Sequence, residues 1–458
     1  MLYHEVSFRR TADPLTLLRR LAAELPAPRI IYERAGLWSF ASGTLGQVLL
    51  DRRHLVYSWR GRQRSMRHSG RPLADVSQVL AGFPLSDWTA HGWVAFEYGY
   101  LRAGLPVPDG ALLQLIVPSV QVQIDSEACL IRSVDRRQAE ELRDRLGGLG
   151  DPGPDQSRGP DRVADAWSPR PRPVRVEAAD AGSYQRIVAA AVSEIRRGGL
   201  HKVILSRRIP IGFGVDLLGT YQAGRPANNP ARSFLLDTPR VRAVGFSPET
   251  VLTARPDGHV QTNPLAGTRA LTGDNQDRAR AAALGTDPKE VFEHAISVKL
   301  AVEELQAVCV PGSAVIDNYM SIVRRGSVQH LSSQVSGQLP ADRTCWDAFE
   351  AVFPAVTVSG VPKAAAFSCI SRLESQPRGL YAGAVLSVAG DGSLDAAIAL
   401  RALFETDGTA WLQAGAGIVA TSEPLREYEE TCEKLRSLAP YVVPDHGPTV
   451  AAMDVRSP

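Results

Sequence analysis

Residues 183–207 read SYQRIVAAAVSEIRRGGLHKVILSR, and this stretch decides the fold class. Tyr184, Ile187, Val188, Ala191 and Ile195 recur at helical intervals behind Ser183, so they share one face of a helix. Gly198-Gly199 end it, since paired glycines lose too much chain entropy to stay helical. Lys202-Val203-Ile204-Leu205 follows at once as a β-branched, strand-like run. Working outward, strands are expected at 233–236 and 242–246, a long helix at 288–308, strands at 379–388, 395–404 and 411–418, and a closing helix at 424–438. Consecutive strands, a helix and more strands describe an α+β protein with largely antiparallel sheets. The strict alternation of a doubly wound fold is missing.

Upstream, runs at 48–50, 55–57 and 117–124 also read as strands. Between the two halves lies GGLGDPGPDQSRGPDRVADAWSPRPRPV (147–174), too polar and too rich in Gly and Pro to bury a core of its own. It divides the chain into an N-terminal part, 1–146, a linker, 147–174, a main region, 175–445, and an expected disordered tail, 446–458. The whole expectation is two antiparallel-rich β-sheets packed as a sandwich with helices outside, the N-terminal part completing the sheets.

Lys plus Arg (51) nearly balance Asp plus Glu (49), so bulk charge selects neither nucleic acid nor an anionic membrane, and an anionic ligand must be held by local residues. No apolar run is long enough to span a bilayer, and no apolar segment follows Arg9-Arg10 as in a secretory signal. Five scattered cysteines without C-x-x-C spacing argue against a disulfide framework or a zinc site and for a reduced, cytoplasmic protein. Oligomeric state is not readable.

Two Glu-x-x-Glu pairs stand out. Glu290 and Glu293 share a face of one expected helix, and Glu427 and Glu430 share a face of another, with Lys434 one turn on. Facing each other, they could hold a hard cation such as magnesium through carboxylate oxygens. On pattern alone, solvated helix faces are the commoner reading. Lys202 opens an apolar strand and is either an edge lysine or a desolvated general base. Glu249, after Phe246-Ser247-Pro248, is either a turn residue or a glutamate kept protonated by burial. Gly267-Thr268 and Gly415-Ala416-Gly417 place small residues where backbone N–H groups could meet a carboxylate, though glycines also simply make turns. Arg401, ending an apolar strand, needs an anion, either a ligand carboxylate or a structural partner; Tyr381 lies nearby in a Gly-rich stretch. His330 is a ligand contact or a satisfied core histidine.

The order and wording of these segments carry more than any one of them. HKVILSR (201–207), FSPE (246–249), PLAGTRA (264–270), KEVFEHAISV (289–298), GSVQHL (326–331), FPAVTVSGVPK (353–363), PRGLYAGAV (377–385), LRA (400–402), AGAGIV (414–419) and EYEETCEKL (427–435) together resemble the chorismate-utilising enzymes, the family of anthranilate, aminodeoxychorismate, isochorismate and salicylate synthases. The resemblance spans about 183–443, with GWVAFEYGY (92–100) a looser match upstream. Its wording is most similar to the salicylate synthases of siderophore pathways.

That resemblance implies an anthranilate synthase component I-like fold and an Mg²⁺-dependent conversion of chorismate through isochorismate to salicylate and pyruvate. The alternatives are an isochorismate synthase that stops before pyruvate loss, an anthranilate-type synthase, or a non-catalytic member. It implies Glu293 and Glu430 as principal metal ligands, with Glu290 and Glu427 completing the shell. Lys434, Gly415 and Gly417 would assist at the ring carboxylate, and Arg401 and Tyr381 would hold the enolpyruvyl carboxylate. Lys202 would be the base that activates water, Glu249 the acid at the departing hydroxyl, and Gly267, Thr268, His330 and Thr357 would line the pocket. Ammonia-using relatives tend to lack the lysine at position 202, and no amidotransferase subunit is expected. Asn263 stands where salicylate-forming relatives usually carry glutamate, which puts rate or product outcome in question.

Overall fold

The computed structural model describes residues 2–149, 170–177 and 181–445. Most of the expected linker and the whole expected tail lie outside these residues. Two large sheets, antiparallel throughout, form the body. The first, of 11 strands, runs from His4–Arg9 through Ala128–Ser133, Val120–Ile124, Leu37–Ser42 and Arg29–Arg34. It continues without a break into Arg232–Asp237, Arg242–Ser247, Ala402–Thr406, Thr409–Ile418, Lys202–Ile211 and Gly360–Val361. The second, of 12 strands, joins Leu265–Ala270, Val328–Gln338, His259–Thr262, Thr250–Ala254, Leu394–Ile398 and Ala384–Ala389 to Thr89–Val94 and four further N-terminal strands. Val315–Arg325 pairs on the outer side of Val328–Gln338.

Both sheets are therefore shared between the chain's two halves. Phe234 lies opposite Tyr32 at one seam and Val385 opposite Trp93 at the other. The N-terminal residues complete each sheet. Asp395 of the second sheet accepts hydrogen bonds from Tyr32 Oη (2.6 Å) and the Arg232 guanidinium (2.6 and 2.7 Å) of the first. A continuous core of Leu, Val, Ile and aromatic side chains fills the space around them.

Several elements end where the sequence offered no sign. The strand expected at 395–404 is two strands, Leu394–Ile398 and Ala402–Thr406, in different sheets. Arg401 between them has φ of 50°, a left-handed conformation that no strand ladder accommodates and that costs a non-glycine residue about 1 kcal/mol. The run at 117–124 splits likewise at Pro118, into Leu113–Val117 and Val120–Ile124. The strand expected from 379 begins only at Ala384, and the closing helix spans Pro424–Leu435. At the described end of the expected linker, Arg172 and Val174 donate backbone hydrogen bonds to Val442 and Ala439 (2.7 and 3.0 Å).

Two helices position the glutamates. Asp287 caps Pro288–Gln306, its carboxylate accepting from the N–H groups of Lys289 and Glu290. That helix buries Glu290, Glu293, Ser297, Ala301 and Leu305, a stripe at helical spacing that is polar at its start and apolar at its end. Pro424–Leu435 buries Glu427, Glu430, Thr431 and Leu435 in the same way. No helix among the described residues is long and apolar enough to cross a membrane. The five cysteines are buried and free.

Candidate active site

A cavity of about 600 Å³ opens between the Lys202–Ile211 and Thr409–Ile418 strands, near one edge of the first sheet, and the Leu265–Ala270 and Val328–Gln338 strands of the second. Antiparallel register sets one wall. Ile204 faces Gly417, Ser206 faces Gly415 and Arg208 faces Gln413, so these side chains point to one side of the sheet. The glycines are required there. A β-carbon on Gly417 would stand 2.2 Å from Glu293 Oε1, and one on Gly415 would stand 3.0 Å from the Tyr381 hydroxyl and 2.7 Å from Leu205 O.

The cavity is lined by Glu249, Gly267, Thr268, Glu293, His330, Thr357, Tyr381, Arg401, Gly415, Gly417, Glu430 and Lys434, all of them singled out from sequence. Three of the predicted residues, Lys202, Glu290 and Glu427, are not part of the lining, although Lys202 reaches the lining residue Glu293 and Glu290 accepts from the N–H of the lining residue Thr268 (3.2 Å). Lys202 is fully buried, its Nζ donating to Ser297 Oγ (2.9 Å) and lying 3.0 Å from Glu293 Oε1. Neither an edge lysine nor a free one, it is the counterion of a cavity-lining glutamate.

Lys289 links the two glutamate pairs, 2.8 Å from Glu427 and 3.9 Å from Glu290, and each glutamate has its own cation. Glu290 pairs with Arg269 (2.7 Å), Glu293 with Lys202 (3.0 Å), Glu427 with Lys289 (2.8 Å) and Glu430 with Lys434 (2.6 Å). Sequence reading gave no role to Arg269, Lys289 or Ser297. Buried carboxylates require such partners, which signals that lysines flanking an E-x-x-E pair belong to its chemistry. Burial and then the neighbouring Glu430 push the Glu427 carboxyl up to about 7. Burial works to raise Glu430 too, but Lys434, Lys289 and Arg426 outweigh it and bring it down to about 2. Burial favours a neutral Lys289, yet the four carboxylates hold it above the usual lysine range.

Among the described residues no three His, Cys, Asp or Glu side chains converge closely enough to hold a metal ion. The ammonium and guanidinium groups occupy the carboxylates' near sides. The donor set nonetheless fits a hard cation. Glu427 Oε2 is buried with no hydrogen-bond partner, and burial together with Glu430 and Glu293 holds the Glu290 carboxyl above its ordinary value even beside Arg269 and Lys289. Positive charge is still wanted there.

On the same cavity wall Glu249 is buried at 3% exposure. Burial raises its carboxyl to about 8, only partly offset by the hydrogen bonds Oε1 accepts from Thr357 Oγ1 (2.6 Å) and the Leu265 N–H (3.2 Å). It is a protonated acid at neutral pH. Arg401 is 9% exposed and forms no ion pair with any described carboxylate. Its guanidinium donates to His330 Nε2 (3.2 Å) and approaches Lys434 O (3.5 Å). Burial, Arg401 and Lys434 hold His330 down to about 3, so the ring is neutral. Accepting from Arg401 at Nε2, it carries its proton on Nδ1, donated to Gly267 O (3.0 Å). Burial lowers Arg401 to about 10, which still leaves a full charge at neutral pH. A buried cation facing a cavity with only neutral partners is a receptor for an anion. Asn263 points away from this, donating to Ser332 Oγ (3.1 Å) and Ser333 O.

Comparison with known proteins agrees with this geometry. The chorismate binding enzyme family matches residues 56–440. A salicylate synthase of Mycolicibacterium paratuberculosis is 43% identical over 441 residues, 94% of each chain. Anthranilate synthase component 1 of Haloferax volcanii is 39% identical over 282 residues, 60% of this chain and 53% of that one. Among solved structures, anthranilate synthase component I from Streptococcus pneumoniae superposes with a TM-score of 0.72 at 25% identity, covering 94% of this chain and 98% of that one. The menaquinone-specific isochorismate synthase of Escherichia coli does so at 0.69 and 20% identity, covering 95% and 94%, a likeness of fold.

Proposed function

Since the chain belongs to the chorismate-binding enzymes, we propose that it is a salicylate synthase, converting chorismate through isochorismate to salicylate and pyruvate. The observation that carries this is Arg401, a buried guanidinium on the cavity wall whose side chain meets only neutral partners. Chorismate is a dicarboxylate, and the cavity wall carries that cation as well as the glutamate–lysine cluster.

In this reading Arg401 and Tyr381 hold the enolpyruvyl carboxylate, while neutral His330, fixed by Gly267 O and Thr268 Oγ1, keeps the guanidinium aimed. Glu293, Glu430, Glu290 and Glu427 would hold a magnesium ion, which supplies the localised positive charge that anchors the ring carboxylate. Lys434, bonded to Gly415 O and Glu430, supports that end. Lys202, released from its ion pair with Glu293 and in its neutral form, takes a proton from water as the oxygen bonds to ring C2 and both ring double bonds shift, C1=C2 to C1=C6 and C5=C6 to C4=C5. The C4–O bond breaks, and protonated Glu249 delivers its proton to the departing oxygen, which leaves as water. The product is isochorismate.

Pyruvate loss then moves the C2 hydrogen to the enolpyruvyl methylene as the C3–O bond breaks, leaving an aromatic ring. That step asks for enclosure and orientation more than for an acid or base. Ile204, Val358 and Leu400 supply apolar wall for it. Purified protein incubated with chorismate and Mg²⁺ should give salicylate fluorescence and equimolar pyruvate. Isochorismate accumulating with neither would overturn the proposal in favour of an isochorismate synthase. Siderophore biosynthesis is the setting this product fits, and the cytoplasm the compartment that suits five reduced thiols.

A further inference from the structure

Among the described residues, Gln413 is the polar side chain on the cavity wall left without a role above. It is 4% exposed and shares its strand face with Gly415 and Gly417. Its amide is oriented by its surroundings. Oε1 accepts from Arg208 Nε (3.2 Å) and Trp411 Nε1 (3.1 Å), groups that can only donate. Nε2 donates to Ser206 Oγ (2.9 Å). The Ser206 hydroxyl donates to Glu374 Oε1 (3.0 Å), a carboxylate clamped by Arg378 through bonds of 2.7 and 2.9 Å. Ser206 can therefore only accept from Gln413, and the amide cannot turn over. A primary amide carries two protons. One goes to Ser206, and among the described residues the second has no partner.

Position along the strand says what that proton meets. Gly417 abuts Glu293, and Gly415 abuts the Tyr381 hydroxyl. Gln413 lies two residues further on, about 13 Å in strand rise from Gly417. It is at the end remote from the glutamate cluster, beyond Tyr381. We propose, resting on the salicylate synthase reading, that Gln413 is a substrate-binding residue that donates its free N–H to the enolpyruvyl carboxylate alongside Arg401 and Tyr381.

The test is steady-state kinetics on Gln413→Leu and on the same-shaped Gln413→Glu. Loss of a hydrogen bond to a charged group should raise KM for chorismate about tenfold or more in Gln413→Leu, with kcat within about threefold. Gln413→Glu places a carboxylate against a carboxylate, and KM should rise further, by about a hundredfold. Pyruvate, which retains the contacted carboxylate, should lose inhibitory potency in parallel with KM. Salicylate, which retains only the ring carboxylate, should inhibit as before. An unchanged KM in both variants overturns the assignment, and so does equal weakening of pyruvate and salicylate, which would mark a purely structural residue. Wild-type protein that consumes chorismate without forming salicylate overturns the functional reading instead, and Gln413 is then decided on KM for chorismate.

Discussion

Replacing Glu249 by Gln should abolish most turnover while making the protein more stable, increasingly so as pH rises. Gln keeps the shape and an acceptor for the Thr357 hydroxyl and the Leu265 N–H. It cannot release a proton. The carboxyl stands at about 8 when folded against 4.5 as the ordinary value, so the folded state keeps a proton that the unfolded chain gives up. For a raised group, the relative stability is intact below 4.5 and is lost progressively as pH rises to 8. At 1.36 kcal/mol per pH interval, the wild type is disfavoured relative to the variant by about 3 kcal/mol at pH 7 and about 5 kcal/mol above pH 8. The side chain is almost wholly buried, so solvent screening scarcely reduces this. Urea unfolding of both proteins at pH 5 and pH 8.5 measures the difference, and chorismate turnover measures the loss, expected at about 10²–10⁴-fold. A stability gain equal at the two pH values, or a loss at pH 8.5, would show that the folded carboxyl is ionised throughout and would remove Glu249 as the acid.

The wild-type kcat/KM should fall as pH rises through about 8, as Glu249 loses its acid form, and a flat profile to pH 9.5 would contradict that role. Arg401→Met should raise KM for chorismate by about 10- to 100-fold without destabilising the fold, since it removes a buried charge that has no carboxylate partner; urea midpoints and saturation curves check both halves. Gly417→Ala should cost about 1–3 kcal/mol and most of the activity, because the new methyl would displace Glu293 from Lys202. Chelation by EDTA should stop turnover and added Mg²⁺ restore it, whereas Glu430→Gln should need far more Mg²⁺ for half-maximal rate; turnover indifferent to both would remove the metal role.

Much of the fold was legible because apolar periodicity is a local signal. The helix at 183 and the strand at 202 come from spacing alone, and the helix expected at 288–308 ends at Gln306. What stayed hidden was where the chain changes sheets. Arg401 supplies a left-handed turn with a residue that does not favour one, so the apolar run 396–404 read as a single strand. Motif order named the polar residues of the pocket other than Gln413, whereas pattern alone read both Glu-x-x-Glu pairs as solvated helix faces and they are buried. Their pairing was not legible. Lys289 and Glu427 are 138 positions apart, and nothing local says that they touch at 2.8 Å. The same holds for Lys202, which spacing placed on a strand but could not pair with Glu293. Gln413 carries no signal of its own in the sequence, since only Arg208, Trp411 and Ser206 together fix its amide.

Water as the nucleophile at C2 is the claim on which the rest depends. Turnover of chorismate in H₂¹⁸O, with mass spectrometry of the products, tests it directly. Salicylate should carry a single ¹⁸O in its phenolic hydroxyl, with pyruvate released alongside. Unlabelled salicylate, or an aromatic product that carries nitrogen once ammonium is added, would contradict it.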